Sequence, residues 1–217
     1  GNLALAKWLI ELAKEYEADL VKFQLYNAGN LDRAAETWKA LKQSELSFDQ
    51  AKMFFGYGKE IGIEVFFSVF DVEKVTWCED IGVKRYKIAT RMNDPKVLGA
   101  IAETKKPVIA SVSFQYPRQK DWVQAFYEID FLFCVSKYPT SLSSLRLDLV
   151  DFSHSYQGFS DHTIGLNAAK IALARGAQII EKHFANDHQT GIDAPWSMTP
   201  GELRGLKKWE KEVREVL

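Results

Sequence analysis

Hydrophobic and polar positions along the chain follow two periods that predict alternating strands and helices. Short apolar runs predict seven strands, at 18–24, 63–70, 85–90, 107–113, 131–136, 158–161 and 178–184. Apolar residues three and four apart predict a helix after Asn2, helices at 48–61, 71–81, 94–103, 163–176 and from 199 onward, a short one around 122–127 and a weak one around 33–42. Strands separated by helices are typical of a parallel α/β fold, and a TIM (β/α)8 barrel closes on eight such strands. The pattern therefore predicts seven strands of a TIM barrel.

The stretch 157–184 places one histidine at the end of each of two consecutive predicted strands. His162 follows the strand 158–161, and His183 closes the strand 178–184. Parallel neighbours bring their carboxyl ends to the same rim, where α/β sheets bind their ligands. Neutral imidazole is a frequent ligand of divalent transition metals. The pair thus predicts a metal site, with catalytic histidines and purely hydrogen-bonded histidines as the alternatives.

Two lysines stand inside otherwise apolar strands. Lys22 lies in LVKFQ and Lys87 in RYKIAT. A lysine in such a place is costly unless a carboxylate or an anionic ligand meets it. The pair therefore predicts an anion site, and the alternative is that each lysine extends to solvent or pairs with Glu181. Strand alternation puts Glu181 and Ser160 on the same face as the two histidines.

Composition narrows the class of protein further. The 217 residues, 47% of them hydrophobic, suffice for one large core, and we interpret 1–217 as one domain. A net charge of −1 provides no basic surface for nucleic acid, and no apolar run is long enough to span a bilayer. Cys78 and Cys134 have no metal-ligand spacing, and no signal peptide precedes Gly1, so we expect a cytoplasmic protein.

Five short strings carry a resemblance to a known family. GFSDHTIG and IIEKHF, preceded in the same order by VKFQ, YKIA and KYPT, resemble the synthase domain of the sialic acid synthase family. This family includes N-acetylneuraminate, pseudaminate and legionaminate synthases and a relative in spore coat polysaccharide biosynthesis. The resemblance implies a TIM barrel that condenses phosphoenolpyruvate with an N-acylated amino sugar in its open aldehyde form, which gives a nine-carbon 2-keto acid and phosphate.

The same resemblance implies a cofactor and partners. The cofactor is a divalent metal, usually Mn²⁺, with Mg²⁺ or Co²⁺ as alternatives. The partners are the two small-molecule substrates, with no nucleic acid and no membrane, and a homodimer is compatible with the family.

Residue by residue, the resemblance implies a set of site residues. The metal ligands are His162 and His183. The catalytic residues are Lys22, Lys87, Tyr138 and Asp193, of which the lysines hold phosphoenolpyruvate and the other two lie on the sugar side. Further substrate-binding residues are Gln24, Thr90, Ser111, Ser136 and Ser160.

Departures from the family pattern define the remaining expectations. The family's first strand, which carries an acidic catalytic residue, would precede Gly1, so we expect an N-terminal extension in the intact protein to supply it. No C-terminal antifreeze-like domain follows Leu217, and Met92 stands where the family has an acidic residue. Two alternative functions remain, a metal-dependent aldolase that uses pyruvate itself and a non-catalytic relative.

Overall fold

The computed structural model describes residues 2–31, 37–114 and 125–216, in which helices and strands alternate. The strands are β1 (Leu20–Leu25), β2 (Glu64–Val69), β3 (Tyr86–Ile88), β4 (Val108–Val112), β5 (Ile129–Cys134), β6 (Gly158–Asp161) and β7 (Ile179–Lys182). The α-helices are α1 (Leu3–Glu15), α2 (Trp38–Ser44), α3 (Phe48–Ile61), α4 (Val72–Ile81), α5 (Pro95–Glu103), α6 (Asn167–Ala174) and α7 (Pro200–Val216). Within the described ranges, no helix is both long and apolar enough to cross a membrane.

The elements agree closely with the hydrophobic pattern where local capping signals are strong. Ser47 and Gln50 form a reciprocal capping box at the start of α3, and Asp71 caps α4. Gly62 and Gly82 end these two helices in the left-handed conformation, which glycine adopts without a steric penalty. Parts of the predicted helices at 33–42 and 122–127, namely 33–36 and 122–124, lie outside the described residues.

The helix predicted from 163 begins later than expected. Residues 163–166 form turns, and α6 starts only at Asn167. Gly165 has a φ of +76°, which interrupts helical geometry, and Ile164 is 62% exposed. The buried residues of α6 are therefore alanines, and the predicted helix start at 163, which would have included Ile164, is wrong.

The chain divides into two compact units, of which the first contains residues up to Ile88 together with 92–108 and 125–128. In this unit β1 pairs with β2 and β2 with β3, both in parallel. Gln24 stands opposite Ser68, and Ser68 stands opposite Lys87. Phe54, Phe67 and Tyr86 are fully buried in its core. This register places polar side chains in one row near the carboxyl ends of three strands.

The second unit contains Ala89–Arg91 and the strands from Ile109 onward, in the order β4-β5-β6-β7. β5 and β7 pair in parallel with β6, so that Ser160 stands opposite Cys134 on one side and Glu181 on the other. A buried cluster packs beside these strands and contains Val112, Phe133, Leu145, Leu147, Val150, Phe152, Tyr156, Phe159, Ala168, Ala172 and Ala177. The sheet of this unit is therefore fixed from one side by an apolar core, and its strand ends carry the histidines.

Candidate active site

The two histidines of the sequence motif lie side by side in the second unit. His162 follows β6 and His183 follows β7, and their ring centroids are 5.5 Å apart. Both backbones are anchored: the N–H of Thr140 donates to the His162 carbonyl at 2.9 Å, and the N–H of Met198 donates to the His183 carbonyl at 2.7 Å. The parallel pairing of β6 and β7 thus brings the two predicted metal ligands to one rim.

His162 is held as a neutral imidazole. The residue is 7% exposed, and its Nδ1 lies 3.1 Å from the Val135 carbonyl, an acceptor that requires Nδ1 to carry the proton. Burial lowers the pKa of His162 to about 4, because the imidazolium would lose its hydration. The nearby His183 contributes to this lowering of the pKa, whereas Val135, Glu181 and Asp161 oppose it. The remaining nitrogen, Nε2, therefore keeps a lone pair at neutral pH.

His183 has a corresponding arrangement with a carboxylate. Its Nδ1 lies 3.3 Å from Oδ2 of Asp193, a residue that precedes the 3-10 turn Ala194–Trp196. A ligating histidine commonly gives its second nitrogen to a carboxylate or a backbone carbonyl in this way. Asp193, predicted on the sugar side, thus contacts one of the predicted ligands directly.

The donor set suits a metal ion that keeps open coordination positions. Two imidazoles that bind one ion at about 2.1 Å have ring centroids up to about 6.5 Å apart, so the observed separation of 5.5 Å is compatible with a shared ion. Within the part of the chain that the structure describes, no three or more His, Cys, Asp or Glu side chains are grouped as a complete metal site. Two histidines alone leave room for substrate or water oxygens, as a catalytic ion requires.

Aromatic rings surround the histidine pair. The Tyr138 ring is centred 4.2 Å from that of His162 and 6.1 Å from that of His183, and Trp196 lies 6.1 Å from Tyr138. Partial burial raises the pKa of Tyr138, and a hydrogen bond with Ser136 opposes this shift. The structure therefore brings Tyr138 and Ser136 to the histidines, with a neutral phenol beside the rings.

Arg91 is a residue of this region that the sequence analysis missed. Its Nε donates to the Ser136 hydroxyl at 2.9 Å, and Nη2 donates to the Ser136 carbonyl at 2.8 Å. Its charge also lowers the pKa of Tyr138, against the effect of burial. The available signal was its position directly after Thr90, at the carboxyl end of a predicted strand.

Small hydroxyl side chains line the same face of the second unit. Ser111 donates to Glu181 at 3.3 Å, and Ser160 is buried opposite Glu181 in the strand register. Thr90 is also buried. The buried hydroxyl of Ser113 has no partner among the described residues, which is unusual because a buried polar group without one costs free energy.

The predicted anion-binding lysines belong to the first unit. Lys22 and Gln24 are two residues apart on β1, and the row Gln24–Ser68–Lys87 puts all four side chains on one face. Lys87 is 3% exposed and its Nζ donates to the Ile88 carbonyl at 2.8 Å, which excludes the alternative that Lys87 extends to solvent. Ser68 was not predicted as a site residue, although it is the one hydroxyl in the run IEVFFSVF.

Comparison with known proteins agrees with the motif resemblance. N,N'-diacetyllegionaminic acid synthase of Legionella pneumophila is 31% identical over 248 residues, which cover 100% of this chain and 70% of that protein. The crystal structure of N-acetylneuraminic acid (sialic acid) synthetase from Leptospira borgpetersenii is 28% identical, with a TM-score of 0.91 over 100% of this chain and 80% of that one. The sequence-based expectation of a sialic acid synthase relative is thereby confirmed.

A more distant structure extends the likeness of the fold. A truncated 3-deoxy-D-arabino-heptulosonate 7-phosphate synthase from Thermotoga maritima has a TM-score of 0.76 at 11% identity and covers 99% of this chain and 83% of that one. At this identity the likeness concerns the fold alone, an α/β fold with parallel strands similar to TIM barrels. Residues 9–217 match the NeuB family, and the chain accordingly belongs to the NeuB family of synthases.

Proposed function

We propose that this protein condenses phosphoenolpyruvate with an N-acylated amino sugar to form a nine-carbon 2-keto sugar acid and phosphate. The observation that carries the proposal is the pair His162 and His183, each with Nδ1 next to an oxygen acceptor, in a chain of the NeuB family. A role in the biosynthesis of surface polysaccharide is the expected setting. A cytoplasmic location and a homodimer stay predictions.

His162 and His183 would hold a divalent ion. The expected ion is Mn²⁺, and Mg²⁺ or Co²⁺ are the alternatives. Such an ion, when bound, supplies Lewis acidity to the aldehyde oxygen of the sugar. The chain's own contribution is orientation. The Val135 carbonyl lies beside Nδ1 of His162 and the Asp193 carboxylate lies beside Nδ1 of His183, so that Nε2 of each ring would be the atom offered to the ion.

Lys22 and Lys87 are the proposed partners of phosphoenolpyruvate. A phosphate and a carboxylate together carry more negative charge than neutral donors can balance, and charge-assisted hydrogen bonds to two ammonium groups are stronger than neutral ones. Gln24 is a further proposed substrate-binding residue. The proposed neutral donors to the phosphate or the carboxylate are Thr90, Ser111, Ser136 and Ser160. The burial of Lys87 supports this role, because a desolvated lysine gains most from an anionic ligand.

Tyr138 and Asp193 are proposed to bind the sugar. Tyr138 presents a neutral phenol close to His162, and Asp193 presents a half-exposed carboxylate beside His183. Arg91 holds Ser136 through two hydrogen bonds and thereby fixes the segment that leads to Tyr138. The Tyr138 phenol and the Asp193 carboxylate are thus of the kind that recognises sugar hydroxyls and amides.

The bond changes follow from the substrates. The methylene carbon of phosphoenolpyruvate attacks the aldehyde carbon, and the aldehyde oxygen becomes a hydroxyl by taking one proton. Water captures the resulting cationic C2 and loses one proton, which leaves a hydroxyl on C2. The C2–O bond to phosphate then breaks while this hydroxyl gives its proton to the departing phosphate, so that the water oxygen becomes the keto oxygen. The protein's part is to neutralise the anionic groups and to hold the two carbons in line.

Phosphate release tests the proposal. The protein would be incubated with phosphoenolpyruvate, Mn²⁺ and a panel of N-acyl amino sugars, and free phosphate would be measured. His162→Ala is expected to abolish release, whereas His154→Ala is the matched control, because the His154 side chain is 85% exposed. Condensation with pyruvate and no phosphate would favour the aldolase, and no product with any sugar in the intact protein would favour a non-catalytic relative.

A further inference from the structure

A buried ion pair joins the ends of β6 and β7 directly behind the two histidines. Asp161 is the residue before His162, and Lys182 is the residue before His183. Their side chains are 0% and 1% exposed, and Nζ of Lys182 lies 3.0 Å from Oδ2 of Asp161. Because strand residues alternate, both side chains point to the face opposite the imidazoles.

The pair holds the backbone on both sides of His162. Oδ1 of Asp161 accepts from the N–H of Thr163 at 2.8 Å, so one carboxylate spans the histidine from the preceding to the following residue. Nζ of Lys182 donates to the Thr163 carbonyl at 2.7 Å as well as to Asp161. Three hydrogen bonds therefore fix the turn that contains His162. Two of them link this turn to Lys182, the residue that precedes His183.

Stability alone is a weak reason for such a pair. Two charges without solvent lose their hydration, and their mutual attraction often repays no more than this loss. An apolar pair of similar volume would fill the space at no such cost. Stability therefore does not account for the pair. Its position next to both predicted metal ligands indicates another role, which is to fix His162 and His183 relative to each other.

We infer that Asp161 and Lys182 are positioning residues, which set the distance and direction between His162 and His183 for one shared divalent ion. The inference rests on the proposed function, since it takes the two histidines as the metal ligands. Asp161 and Lys182 act through the backbone and bind no ion themselves, because their side chains point away from the imidazoles.

Mn²⁺ titration of the purified protein tests this role, with urea unfolding of each variant measured separately. Lys182→Met is expected to lower both the Mn²⁺ affinity, by about 10–100-fold, and the stability, since it leaves a buried carboxylate without its partner. The double variant Asp161→Asn with Lys182→Met removes both charges. Its stability is expected to recover while its Mn²⁺ affinity stays about 10–100-fold low, because the tie between the two strand ends is still absent.

Thr163→Val is the matched control in the same turn. The Thr163 hydroxyl is buried and has no partner among the described residues, and only the backbone atoms of Thr163 take part in the network, so this variant is expected to bind Mn²⁺ like the original protein. Full Mn²⁺ affinity in the double variant, with loss of binding in His162→Ala, would overturn the positioning role alone. Unchanged Mn²⁺ binding in His162→Ala would overturn the proposed metal site and this inference with it.

Discussion

Gly158, the first residue of β6, is the described glycine at which an added Cβ would come closest to another atom. It pairs in register with Leu132 of β5 and Ile179 of β7. A Cβ at this position would lie 2.1 Å from the Ile179 carbonyl oxygen and 2.8 Å from its carbonyl carbon. A carbon in ordinary contact with a carbonyl oxygen stays about 3.3 Å away, so Gly158→Ala must open the gap between β6 and β7 by roughly 1 Å. Because the obstacle is backbone, a change of rotamer does not relieve it.

The expected cost of Gly158→Ala follows from this displacement. Overpacking costs about 1–3 kcal/mol, and each weakened strand hydrogen bond adds about 1 kcal/mol. The smaller entropy of the unfolded alanine chain offsets about 0.4–1 kcal/mol. We expect a net loss of about 2–4 kcal/mol in the free energy of unfolding, which lowers the Tm of a chain of this size by about 4–16 °C.

Unfolding in urea, followed by circular dichroism, measures this loss against matched controls. Gly56→Ala in α3 and Gly99→Ala in α5 introduce the same methyl group where, among the described residues, no atom outside the local helix backbone lies within 4 Å. Each is expected to stabilise the protein by about 0.5–1 kcal/mol. Mn²⁺ affinity should also fall in Gly158→Ala, since β6 and β7 carry the histidines. A Gly158→Ala protein as stable as the two controls would refute the close approach of β6 to β7.

Three further predictions concern two ligands and the buried hydroxyl of Ser113, which has no partner among the described residues. Mn²⁺ at 100 times its Kd should raise the free energy of unfolding by about 2.7 kcal/mol, and thermal unfolding should show no such gain in His162→Ala or His183→Ala if these are the ligands. Calorimetry should show phosphoenolpyruvate binding weakened by about 1.5–3 kcal/mol in Lys22→Ala and in Lys87→Ala, and full affinity would assign that lysine to the fold. Ser113→Ala removes a buried hydroxyl without a described partner, so chemical unfolding should show equal or slightly higher stability, and a loss above about 1 kcal/mol would reveal a partner.

Many helix and strand boundaries depend on local sequence signals and could therefore be predicted from the sequence. The strand 158–161 was predicted with the bounds that β6 has, and the helices predicted at 48–61, 71–81 and 94–103 begin within one residue of α3, α4 and α5, whose caps are Ser47, Asp71 and Asp94. Apolar periodicity and capping depend on residues within a few positions of each other, so one sequence contains them completely. The pairing of the two histidines also followed, because parallel neighbours must end at the same rim.

The surroundings of the site depend on contacts between residues far apart in the chain. Arg91 binds Ser136 across 45 positions, and Lys182 binds Asp161 across 21. Neither pair has a periodic or spacing signal in the sequence, because each contact forms only after the strands have paired and the side chains lie on a defined face of the sheet. The pattern predicted a helix from 163, yet the backbone of Thr163 hydrogen-bonds to Asp161 and Lys182, outside any helix. The sequence by itself determined which strands carry the chemistry, and tertiary packing decided how their side chains are held, because desolvation and hydrogen bonding act only between groups that the fold has brought together.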